Sequence, residues 1–128
     1  MSEYPINDSY TTIDYLKKLV AKFRDDRNWK KYHNPKDLAI SISIESNELL
    51  ELFQWKSLEE IRELLKNKNY FERIKNELAD VIIYCLSFAD ILGIDVSQAV
   101  IEKIKLNEAK YPVEKFKGNY YKPNNESS

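Results

Sequence analysis

The stretch ESNELLELFQW, residues 45–55, decides how this chain folds. It reads as an amphipathic helix, yet its acids fall where the apolar stripe should be. A helix turns about 100° per residue, so with Glu45 at zero, Glu48 lies at about 300°, Leu49 at about 40° and Leu52 at about 340°. Carboxylates and leucines therefore share one face. Asp and Glu are rarely buried without a partner, so such a face needs a compensating charge from elsewhere.

A second acidic pair lies downstream in NELADVIIY, residues 76–84, where Glu77 and Asp80 repeat the i, i+3 spacing. Setting Glu77 at zero puts Asp80 at about 300°, Tyr84 at about 340° and Val81 at about 40°, again on the apolar side. If the two helices pack antiparallel, four acids meet, at an electrostatic cost that a hard divalent cation would relieve. His33 is the only histidine and Cys85 the only thiol, so oxygen-only ligation points to Mg²⁺ or Mn²⁺ and not to zinc. A ferritin-type iron bundle would want E-x-x-H motifs, and neither pair contains a histidine. The bland reading is a solvated helix face or interhelical salt bridges.

Around these segments the chain reads as all-α. Thr11 or Thr12 can cap a first helix bearing Ile13, Leu16, Leu19, Val20 and Phe23, which ends near Arg27. The connector RNWKKYHNP closes with Asn34 as cap and Pro35 in the first helical position of a second helix, expected to reach about Trp55. Ser57 and Glu60 have capping-box spacing for a short third helix. A long helix from about Tyr70 to Leu92 stops at Gly93, and Asp95 or Ser97 caps a last helix to about Lys110. Four main helices and one short one predict a four-helix-bundle-like domain over residues 9–113, with a flexible arm at 1–8 and a polar tail at 114–128. Residues 81–92 are apolar almost all round, more than one such unit needs, so that helix is expected to meet another subunit. Cys85, amid Ile and Leu, is expected in the core.

Composition narrows the function classes. The 128 residues suit one domain, and 43% hydrophobic and 32% charged residues with two glycines describe a folded helical protein. A formal charge of −1 supplies no basic field for nucleic acid or an anionic membrane. The longest apolar run, VIIYCLSFADILGI, is broken by Asp90 and is too short to span a bilayer. One cysteine and no basic-then-apolar leader point to a cytoplasmic location.

E-x-x-E, then E-x-x-D, with ELFQW, ELADVIIY and K-x-x-x-N-x-x-K-Y-P in that order, resembles the signature of the all-α nucleoside triphosphate pyrophosphohydrolases, the MazG-like superfamily. Residues 23–112 carry the likeness, which is greatest to the dCTP pyrophosphatase branch. The resemblance implies Mg²⁺-dependent cleavage of a dNTP to the monophosphate and pyrophosphate, Mn²⁺ being a possible substitute. Glu45, Glu48, Glu77 and Asp80 would be the metal ligands, with Glu48 and Glu45 as the catalytic pair and Glu48 as the base. Lys103, Asn107 and Lys110 form one polar stripe on the last helix; the resemblance makes Lys103 and Asn107 contacts to phosphate or sugar, with Lys110 and Tyr111 beside them. It likewise places Trp29, His33 and Trp55 around the base and Tyr84 beneath the deoxyribose. Relatives of this kind form homotetramers as paired dimers and clear unwanted nucleotides. Two alternatives stay open: a noncatalytic helical interaction module, and a related enzyme with another base preference such as dUTP.

Overall fold

Local capping signals account for most of the helix boundaries. The computed structural model describes residues 5–118, and among them it contains six α-helices and no strand. Helix α1, Ile13–Asp26, starts where Thr12 Oγ1 accepts the Tyr15 amide at 3.1 Å. It ends in a Schellman turn: the Asn28 amide donates to Asp25 O and the Trp29 amide to Arg24 O, with Asn28 at φ 57°. A short 3₁₀ turn, Lys30–Tyr32, leads to His33, and Asn34 Oδ1 then accepts the Asp37 amide to open α2, Pro35–Glu51. Pro35 takes the first turn, where its missing N–H has no helical use.

Helix α2 stops at Glu51, short of the expected Trp55. The Phe53 and Gln54 amides both turn back to Leu50 O, and the Tyr70 hydroxyl donates to Leu52 O at 2.6 Å. A long-range side chain thus satisfies a carbonyl that a continuing helix would have used; such a buried bond contributes about 1 kcal/mol net. Helix α3, Leu58–Leu64, has the Ser57/Glu60 capping box. Helix α4, Lys68–Leu92, begins at an Asn67 cap and ends at Gly93, whose φ of 67° is the left-handed terminal conformation. Asp95 accepts the Gln98 amide at 2.8 Å to start α5, Val96–Lys110, and α6 is one turn, Val113–Phe116.

The chain divides into two compact units, one ending at Ile94 and the other beginning at Asp95. In the first, α4 packs against both α1 and α2. Leu52 near the end of α2 meets Tyr70 near the start of α4, whereas Glu45 and Glu48 meet Glu77 further along, so α2 and α4 run antiparallel. Leu38, Leu52, Tyr70, Leu86 and Ala89 form the buried core; Leu38 is 1% exposed, a burial that stabilises by roughly 1.5–3 kcal/mol. Arg24 is also buried, held to Asp25 at 2.9 Å and to Asp90 of α4 at 3.1 Å. In the second unit Tyr111 packs edge-on against Phe116 at 5.3 Å, at the point where a polar tail was expected.

Cys85 is exposed, contrary to the core position expected of it. The turn of α4 that follows buries Leu86, Ser87 and Ala89 instead, leaving Cys85 on the outer strip. Ile82, Ile83 and Leu92 of the same helix are exposed as well. Ile82 and Ile83 line a groove of about 580 Å³ between α1 and α4, together with Leu16, Leu19, Val20 and Phe23 among others. Residues 1–4 of the expected arm and 119–128 of the expected tail lie outside the described residues. In the described part of the arm, Asn7 Oδ1 accepts the Ser9 and Tyr10 amides in a turn ahead of the α1 cap.

Candidate metal centre

One turn of α2 carries Glu45 and Glu48, and the antiparallel α4 brings Glu77 to them. One carboxylate oxygen from each lies within 4.8 Å of the others. Glu45 and Glu77 are half-buried and Glu48 is exposed. Glu45 Oε2 and Glu77 Oε2 are buried without a hydrogen-bond partner, a costly arrangement for carboxylates. Burial, then the close approach of the Glu48 carboxyl, then the charges of Glu48, Asp80 and Glu77 push the Glu45 carboxyl up to about 7. Glu77 is raised by burial, by the close approach of Glu48 and by the Glu48 and Asp80 charges, against an opposing pull from Arg73.

Three carboxylates converge, two of them carry an orphaned oxygen, and burial together with charge repulsion raises the pKa of Glu45 and Glu77. A hard divalent ion with metal–oxygen distances of about 2.1–2.5 Å answers all three features, and the all-oxygen donor set suits it. The cluster can hold a metal ion. Asp80, one turn after Glu77, is exposed and stands outside the three-residue group, though both Glu45 and Glu77 feel its charge.

Trp29 stands at the end of the Schellman turn, edge-on to Phe23 at 5.9 Å, and the Arg27 guanidinium lies 3.6 Å over Phe23 and 5.9 Å from Trp29. Half-buried His33 places Nδ1 2.9 Å from Ser87 Oγ of α4. Trp55, in the turn after α2, is 86% exposed. Half-buried Tyr84 lines the α1–α4 groove together with Asp80. Lys103, Asn107 and Lys110 are exposed on α5, and Tyr111 caps that helix; all four belong to the second unit.

Sequence reasoning missed the polar contacts buried beneath the connector, Arg24–Asp90 and His33–Ser87. Their signal was present: Ser87 and Asp90 interrupt the most apolar run in the chain at i, i+3 spacing, and Arg24 follows Val20 by one turn.

Residues 40–124 match the model of the MazG-like family. dCTP pyrophosphatase 1 of Mus musculus is 36% identical over 107 residues, covering 84% of this chain, and the chain spans 63% of the length of that relative. A dATP/dGTP diphosphohydrolase of Cyanophage S-2L is 40% identical over 55 residues, which is 43% of this chain and 50% of that protein. The crystal structure of a pyrophosphatase from Archaeoglobus fulgidus DSM 4304 aligns with a TM-score of 0.73 at 43% identity, covering 84% of this chain and 99% of that one. With more than half of its length under the family model, the chain belongs to the MazG-like family.

Proposed function

We propose that the protein is a Mg²⁺-dependent nucleoside triphosphate pyrophosphohydrolase that cleaves a dNTP, preferably dCTP or a modified dCTP, to the monophosphate and pyrophosphate in the cytoplasm. The observation that carries this reading is the convergence of Glu45, Glu48 and Glu77 with two buried, unpartnered carboxylate oxygens. The name of the mouse relative and that of the archaeal structure support the reaction class. Bound at these acids with Asp80 as a fourth ligand, Mg²⁺ would draw charge from the triphosphate oxygens and make the anhydride a better electrophile.

The chain's own residues do the rest. Glu48 is the exposed member of the triad and touches both other acids, so it is the carboxylate open to solvent. It takes the proton of a water whose oxygen bonds to the α-phosphorus while the bond to the pyrophosphate oxygen breaks. Glu45, one helical turn before Glu48, brings its carboxylate within 4.8 Å of it, close enough for the two to share one ion. Lys103 and Lys110 supply point charges for phosphate, Asn107 directed hydrogen bonds, and Tyr111 closes that helix end. Trp29 and Trp55 offer faces on which any base stacks, His33 a polar contact, and Tyr84 a surface for the sugar. Clearance of unwanted nucleotides is the task such chemistry suits. A second copy of the chain covers the α1–α4 groove, within a tetramer built as paired dimers.

Incubation with each common dNTP and Mg²⁺, with monophosphate resolved from diphosphate, tests the reading. Pyrophosphate should appear as the direct product, fastest from dCTP. No turnover of any nucleotide at high enzyme concentration sinks the proposal, and faster cleavage of a purine or of dUTP reassigns the base. The cyanophage relative's name gives the purine outcome its weight. The exposed groove favours a second reading, a noncatalytic interaction module. Absence of any Mg²⁺-induced thermal shift, with or without a nonhydrolysable nucleotide, would select it.

A further inference from the structure

Beneath the connector, the chain's only histidine meets a buried hydroxyl of α4. Ser87 is 1% exposed, and the partner recorded for its hydroxyl among the described residues is His33 Nδ1 at 2.9 Å. A serine within a helix commonly returns its proton to the carbonyl one turn back, as Ser46 does to Ile42 O at 2.7 Å. No such bond is recorded for Ser87 among the described residues. A buried hydroxyl proton left without an acceptor costs roughly 1–3 kcal/mol. If Nδ1 carried the proton, it would donate to Oγ, and the Ser87 proton would be orphaned. The arrangement that satisfies both groups has Ser87 donating and Nδ1 accepting.

We propose that Ser87 is a positioning residue that locks His33 in the Nε2–H tautomer, so that the connector presents a fixed hydrogen-bond donor to an acceptor atom of the nucleobase. The ring must be neutral for this. Burial and, behind it, the nearby Arg24 charge depress the His33 pKa, and Arg24 is itself held by Asp25 and Asp90. The ring is also held from the helix side: Ser87 lies on α4, ten residues after the metal-site Glu77, so α4 supports both the acids and the histidine. A base offers ring nitrogens and carbonyl oxygens as acceptors and exocyclic amines as donors; a fixed N–H distinguishes between them, whereas a ring free to exchange tautomers does not. The Ser87–His33 assignment stands on geometry alone, while its use for the base rests on the function proposed above.

The single histidine makes the test direct. Long-range ¹H–¹⁵N correlation spectra of the full-length protein at neutral pH should show one imidazole, with Nδ1 in the unprotonated and Nε2 in the protonated range. Ser87→Ala should move both nitrogens toward the averaged values of a tautomer mixture and raise KM for dCTP about 3- to 10-fold with kcat within about twofold, the size of one lost neutral hydrogen bond. Ser87→Thr, which keeps the hydroxyl, should restore the spectrum and the KM. A wild-type spectrum with Nδ1 protonated or with averaged nitrogens overturns the proposal without any variant. So does a Ser87→Ala protein with altered nitrogens and unchanged KM. Absence of dNTP turnover in the wild type would instead strike the proposed function, and the spectra would still decide the tautomer.

Discussion

At the residue scale, the acids of the triad work against the fold until something neutralises them. Glu45 binds its proton more tightly folded than unfolded, its carboxyl rising from 4.5 to about 7. Below about pH 4.5 its contribution to stability is fully present, and it is lost as pH rises through about 7, because the folded state then holds the extra proton. His33, whose pKa is lowered, contributes the opposite slope below 6.5, so the diagnostic is a difference in which it cancels. Metal-free wild type and Glu45→Gln should diverge in thermal midpoint between about pH 5 and about pH 8, the variant being the more stable at the alkaline end. Mg²⁺ requires deprotonated ligands, so its stabilisation of the wild type should grow over the same range and be lost in the variant. Parallel curves for the two proteins would show that Glu45 is not in a repulsive cluster. Glu48→Gln and Asp80→Asn belong to the same scale: each should abolish nucleotide hydrolysis while leaving far-ultraviolet circular dichroism unchanged. Asp80 is the sharper case, because it stands outside the three-acid group. Retained activity would remove either residue from the metal site.

At the element scale, the helix ends show what was legible in the sequence and why. Thr12, Asn34 with Pro35, the Ser57/Glu60 box and Gly93 each act within one turn of themselves, so local spacing was enough to read them. The end of α2 was misplaced because its decisive partner, Tyr70, is 18 residues away. Likewise the acidic triad was readable from two i, i+3 pairs on apolar faces, whereas Arg24–Asp90 and His33–Ser87 join positions 66 and 54 apart, so the polar breaks at Ser87 and Asp90 did not name their partners. Cys85 was misread because an almost unbroken apolar run does not say which of its sides faces the helices of its own unit. Asn28 offers a test of the connector as an element. Its φ of 57° is a conformation that Asn tolerates and Gly adopts freely, so Asn28→Ala should lower stability by about 1 kcal/mol, while Asn28→Gly should match or exceed the wild type. Urea unfolding of the three proteins checks the order; an unaffected Ala variant would mean that the turn does not need its left-handed residue. Should the connector carry base contacts, Asn28→Ala should also raise KM for dCTP, because Trp29 and His33 lie just beyond the turn.

At the scale of the whole molecule, the most telling feature is apolar surface that the described residues leave uncovered. Leu19 and Phe23 of α1 and Ile82 and Ile83 of α4 are exposed around a groove of about 580 Å³. Contiguous apolar surface of this kind marks an interaction site, since burying it is worth roughly 25 cal/mol per Å². Asp80 and Tyr84 line the same groove, so whatever fills it lies against a proposed metal ligand and a proposed sugar contact. Assembly and activity are therefore expected to move together. Ile83→Glu puts a charge into the groove at a position six residues along α4 from Glu77, and desolvating that charge in an interface costs several kcal/mol. Wild type should sediment as an oligomer at micromolar concentration, and Ile83→Glu should shift to a smaller species with its helical content retained. Its dNTP turnover should fall with the mass and recover in part as protein concentration is raised, a concentration dependence that damage to the acids themselves would not produce. A wild type that is monomeric and fully active at that concentration would show that the groove serves a different partner and that the acidic centre is complete within one chain.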